Sequence, residues 1–168
     1  MRTPKNNKWI ILNKSDFEIH YYSDTFKQFD HDLAIIKILN KTKLKSIYNY
    51  SFKVNNMDIP IDQTTIFLAG YPFKKFSFNS TLPDTLVCRT TTFSQLEFNQ
   101  SKMMMGYPLC TCPGDSGAPI WVELNDSFYI LGIHQGSRSK EKGFSNALLN
   151  VGVFFTPEVI SWILSVTQ

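Results

Sequence analysis

Histidine and cysteine are both scarce in this chain, three of each in 168 residues. A metal centre needs three or four such side chains at short, regular spacings. His20, His31, His134, Cys88, Cys110 and Cys112 are too sparse and too badly spaced for one, so neither a metal nor another cofactor is implied. The odd cysteine count, with Cys110 and Cys112 only two positions apart and strained as a pair, gives no disulfide framework. Charge of one sign is lacking too: 17 basic against 14 acidic residues leave +3, and the densest basic run, Lys41, Lys43 and Lys45, reads as a solvated loop. Nucleic-acid binding needs a concentrated basic face, and none is present. No apolar stretch is long enough to span a membrane. The first fifteen residues offer only Trp9-Ile10-Ile11-Leu12 as an apolar run, too little for a secretory leader.

A packed core is well supplied, with 43% hydrophobic and 14% aromatic residues, and Gly and Pro at eight each stay modest. The length fits one domain, or two small subdomains sharing a cleft. Short apolar runs separated by turn residues predict an all-β chain, with strands at 9–12, 17–22, 33–39, 65–71, 86–92, 120–124, 128–134 and 152–155. Asn125-Asp126 reads as a hairpin turn. Only the end is helical in pattern: Thr156 suits an N-cap, Pro157 the first helical position, and Val159, Ile160, Ile163 and Val166 one apolar stripe. N-x-[ST] acceptor sites begin at Asn13, Asn40, Asn49, Asn79, Asn99 and Asn125, a pattern shared by secreted proteins and by Asn- and Ser-rich cytosolic ones.

One segment carries chemistry. A serine hydroxyl becomes a nucleophile only with a base on one side and fixed donors facing the developing oxyanion on the other. Gly114-Asp115-Ser116-Gly117-Ala118-Pro119-Ile120 has the residues to build the donor side. Gly114 lets the backbone turn so that the Gly114 and Ser116 amides converge, and Gly117 allows close approach. Upstream, Asp32 stands at the mouth of the apolar run Leu33-Ala34-Ile35-Ile36, where a carboxylate that orients an imidazole would lie.

Together the two segments, in this order and 84 residues apart, resemble the chymotrypsin/trypsin-like serine peptidases, in which the gap is roughly 90. The ending Gly152-Val153-Phe154-Phe155-Thr156 through Trp162-Ile163 is similar to the family's C-terminal segment. The resemblance implies an all-β, chymotrypsin-like double β-barrel with a C-terminal helix, its first barrel incomplete and its second closed, with Ser116 as nucleophile, Asp32 as its triad partner, and Gly114 and Ser116 as oxyanion-hole donors. It divides the chain into a remnant of a first barrel (1–45), a linker (46–62), a second barrel (63–155) and the helix (156–168). Cys112 is similar to a family cysteine whose usual partner is missing here. Two segments, Gly70-Tyr71-Pro72 and Gly132-Ile133-His134-Gln135-Gly136, resemble the glutamyl-endopeptidase branch. There the equivalents of Thr111 and His134 line a pocket for an acidic side chain, and Gln135, Gly136 and Ser137 would pair with substrate as an added strand. Cys110 stands where trypsin-like specificity requires an acid.

The base is missing. The family histidine precedes the Asp by about 45 residues, a position before Met1. His31 adjoins Asp32 and should point to the opposite face, and His20, twelve residues ahead of Asp32, is too near in sequence. In the family branch activated by cleavage, the residue equivalent to Asp115 pairs with a new N-terminal ammonium, and no such partner is legible in this chain. The expectation is a truncated, monomeric serine endopeptidase acting on peptide or protein, secreted by resemblance although no leader is present. The alternative is an inactive relative that binds peptides or proteins.

Overall fold

The computed structural model describes residues 12–22, 32–40, 53–54, 64–72, 86–99, 103–137 and 150–167. His31, most of the strand expected at 9–12 and most of the expected linker lie outside them. The strands are β1 (Phe17–Tyr21), β2 (Ala34–Ile38), β3 (Lys53–Val54), β4 (Thr65–Gly70), β5 (Val87–Thr92), β6 (Glu97–Asn99), β7 (Met104–Tyr107), β8 (Pro119–Leu124), β9 (Ser127–Ser137) and β10 (Asn150–Phe154). A helix, α1 (Pro157–Thr167), follows them.

The double barrel expected from the sequence, with a closed second barrel beside an incomplete first one, does not form. Seven strands run in the order β5-β4-β8-β9-β10-β7-β6, β3 joins β9 in parallel, and the end strands β5 and β6 are not paired with each other. The physical reason lies between them. After β5 the chain makes a 3-10 turn at Phe93–Gln95, buries Leu96, and returns as a three-residue strand that pairs with β7. The described residues thus form one open half-barrel sheet, a separate two-stranded ribbon and one helix.

Alternation builds the sheet's inner face. Ile66 and Leu68 of β4 stand opposite Val122 and Ile120 of β8, and all four are buried. Leu96, Met105, Tyr107, Leu109, Leu131 and Phe154 complete that core. The β8–β9 hairpin turns at Asn125 and Asp126, both with positive φ (49° and 55°), as a two-residue turn matched to strand twist requires.

The helix begins where local chemistry dictates. The Thr156 hydroxyl accepts the Val159 amide at 3.4 Å, and Pro157 occupies the first helical position. A bond from the Thr156 side chain also holds the Glu158 carboxyl below its ordinary pKa. An isolated eleven-residue helix is marginal in water. Burying Val159 and Ile160 at about 1.5–3 kcal/mol each is what fixes this one. Its apolar stripe packs against Ile130 and Ile133 of β9 and also against Tyr22 and Leu33 at the ends of β1 and β2. Lys37 Nζ donates to the Val166 carbonyl at 2.8 Å, and Tyr22 meets Trp162 edge-on at 5.2 Å. The helix thus ties the ribbon to the sheet and sets where Asp32, next to Leu33, must lie. No helix among the described residues is long and apolar enough to cross a membrane.

The ribbon's other face is exposed at its middle pair, Ile19 and Ile36. Phe17, Ile19 and Tyr21 of β1 stand opposite Ile38, Ile36 and Ala34 of β2, and Ile36 is 60% exposed. In a closed barrel this face would point inward. Ile36→Lys is therefore expected to change the unfolding free energy by no more than about 0.5 kcal/mol in urea titrations while lowering the binding of an apolar dye. A loss above about 2 kcal/mol would show that the face is covered.

Candidate functional site

Two successive turns carry Ser116. In the first, Pro113 and Gly114 are the central residues, Gly114 has φ +95°, and the Asp115 amide donates to the Cys112 carbonyl at 3.1 Å. Pro followed by a residue of positive φ is the composition of a type II turn. In the second, Gly117 has φ +84° and the Ala118 amide donates to the Asp115 carbonyl at 2.9 Å. The Gly117 amide and the His134 carbonyl (2.8 Å) dock the loop on β9. The amides of Gly114 and Ser116 take no part in these bonds, and the Ser116 side chain is exposed.

Asp115, between the turns, is fully buried. Its Oδ2 accepts the Cys112 amide at 2.9 Å and lies 3.1 Å from a guanidinium nitrogen of Arg89. The partner of Asp115 that was not legible in the sequence is thus inside the chain. A signal for it was present: Arg89 is the lone charged residue of a strand reading Val-Cys-Arg-Thr-Thr-Thr.

Ser116 and Asp32 do come to one place, but what joins them is a glutamine. The Ser116 hydroxyl donates to the Gln135 carbonyl at 2.9 Å, and Gln135 Nε2 donates to Asp32 Oδ2 at 3.4 Å. Gln135 can do this because it is the extra residue of a bulge. The β9–β10 ladder pairs Gly136 with Val151 and His134 with Gly152, skipping position 135, and a bulge re-aims the residue left over.

This arrangement overturns the serine-endopeptidase reading, and with it the trypsin-like assignment. A carboxamide has no basic nitrogen, and a carbonyl oxygen cannot take the serine proton at neutral pH, so Ser116 stays a hydroxyl. Among the described residues no histidine contacts Ser116 or Asp32. His20 lies on β1 beside Glu18, 3.4 Å away. His134 is 2% exposed, and its Nδ1 is bonded to the Tyr107 hydroxyl in the core. Burial, with a contribution from Arg89, lowers the His134 pKa, which the Asp115 carboxylate partly opposes. At neutral pH the ring is uncharged.

The remaining residues named from the sequence fall around this centre. The half-buried Thr111 donates its hydroxyl to the buried Asn150 side chain, which in turn donates to the Leu109 carbonyl. On the β10 side, Gly136 pairs with Val151 and Ser137 with Asn150. On the other side β8 ends at Pro119, opposite Ile133, so among the described residues no strand lies beside 135–137. No group of His, Cys, Asp and Glu able to hold a metal ion occurs among the described residues, and Cys88, Cys110 and Cys112 are exposed free thiols. The chain matches no protein-family model and no curated protein.

Proposed function

We propose that the chain is a non-catalytic relative of the chymotrypsin-type peptidases that binds an extended peptide as an added strand along residues 135–137. The observation that carries this reading is the bond from Gln135 to Asp32, which puts an amide where a hydrolase needs a base; beyond it, Gly136 and Ser137 have no strand on their β8 side among the described residues. An edge offers unpaired N–H and C=O groups to any extended chain. Three residues supply few such bonds, each worth about 0.5–1.5 kcal/mol net. Affinity must therefore also come from side chains near Thr111 and the 112–118 loop.

Gly136 supplies the test. A Cβ added there meets no atom within 4 Å, so Gly136→Leu leaves the fold intact while filling the space a peptide would occupy. Peptides selected from a random display library on the parent chain are expected to bind the Leu variant at least tenfold more weakly, a loss of about 1.4 kcal/mol. They are expected to be recovered uncleaved from the parent. Equal binding to both chains, or cleavage of the peptides by the parent, would overturn the proposal.

A further inference from the structure

Within the 112–118 loop the hydrogen bonds converge on one residue, Asp115. The Asp115 amide closes the first turn, its carbonyl closes the second, and its Oδ2 takes the Cys112 amide at 2.9 Å. Asp115 is wholly buried, and a carboxylate so placed persists as an anion only with a cation beside it. That cation is Arg89, itself 16% exposed, 3.1 Å away on an end strand of the sheet. Arg89 stands opposite Leu68, whose side chain is fully buried in the core, so the guanidinium is delivered by the rigid part of the sheet.

We infer that Arg89 is the positioning residue of the peptide site, supplying from within the chain the charge that holds the Ser116 loop in place. The site is then assembled as the chain folds, without an ammonium or other cation delivered from elsewhere. This rests on the peptide-binding reading for its purpose but not for its mechanics, and the two are tested separately.

Amide hydrogen exchange on the whole chain reads the mechanics. In Arg89→Met the amides of Asp115, Gly117 and Ala118 are expected to exchange at least about tenfold faster, while those of the β9–β10 ladder keep their protection. Guanidinium ion at sub-denaturing concentration should restore protection in Arg89→Met and have no such effect on the parent. If Arg89→Met does not fold, the double variant Arg89→Met/Asp115→Asn, which leaves no buried unpaired charge, carries the exchange comparison, and guanidinium is expected to restore no protection there because the anion is gone. Unchanged loop exchange, or faster exchange spread evenly over the sheet, would overturn the inference. The display-selected peptide reads the purpose: its binding should fall at least about tenfold in Arg89→Met and return with guanidinium. Undiminished binding would overturn the positioning role. If the parent chain selects no peptide, the peptide-binding reading fails, while the exchange result still decides whether Arg89 holds the loop.

Discussion

Gly132→Ala is expected to cost the domain about 3 kcal/mol, the upper end of the usual overpacking loss and a large part of the 5–15 kcal/mol that usually separates folded from unfolded states. Gly132 lies on β9 opposite Phe154 of β10, and the adjacent Phe155 amide donates to the Leu131 carbonyl at 2.8 Å. An added methyl would fall inside van der Waals contact of two groups, the Val153 carbonyl oxygen and the terminal methyl of Met105. Met105 can turn aside, but it is fully buried in a close-packed core. The carbonyl cannot move without opening the central ladder of the sheet. Gly136→Ala, four residues along the same strand and with open space around its Cβ, is the control and should change stability by no more than about 0.5 kcal/mol. Urea unfolding of the three chains checks this. A Gly132→Ala variant within about 1 kcal/mol of the parent would show that β9 and β10 do not approach so closely.

Elements whose signals are local were legible in the sequence. The helix was, because its cap, its proline and its apolar stripe are all set within eleven residues, and it forms at Pro157–Thr167. Strands β4 and β8 were, because one face is core and the other is not, so burial alternates along them. Strand β7 was not: all four residues from Met104 to Tyr107 are buried, leaving no alternation to read. The end of β9 was underestimated because Gln135, Gly136 and Ser137 have no apolar pattern and are extended through their place beside β10. Whether the sheet closes depends on pairing between its end strands, a long-range property that no window of sequence reports.

The same division holds at the site. The two turns around Ser116 could be read from glycines at 114 and 117, both with positive φ, because a turn's backbone demands are written in four residues. What the turns are joined to could not. Gln135 and Asp32 are 103 residues apart in sequence, and it is a bulge that aims one at the other. A family pattern supplies a nucleophile and a carboxylate but cannot say what stands between them. Here that group is an amide, and the chemistry changes with it. His134 likewise fits a pocket motif by position, yet its ring is turned into the core toward Tyr107.

Acid is expected to weaken the fold through that ring. Burial depresses the His134 pKa below its ordinary 6.5, Arg89 adds to the lowering, and Asp115 opposes it. Below pH 6.5 the unfolded chain takes up a proton that the folded chain refuses. The contribution of His134 is therefore fully present above that pH and is lost as the pH falls toward the depressed folded value. One proton sets the steepest slope, about 1.4 kcal/mol per pH unit. The bonding around the ring explains the refusal. Burial raises the pKa of Tyr107, which stays a hydroxyl and can donate to Nδ1. Protonating Nδ1 would turn that hydroxyl toward the Val151 carbonyl, 3.5 Å away and too far for a good O–H···O bond. Urea unfolding at steps from about pH 7.5 to 5 reads the slope, and His134→Phe, less stable throughout, should show a shallower one. His20 and His31 remain in both chains, so the difference between the two profiles belongs to position 134. Parallel profiles would assign the acid loss to other groups and leave the buried imidazole without a part in it.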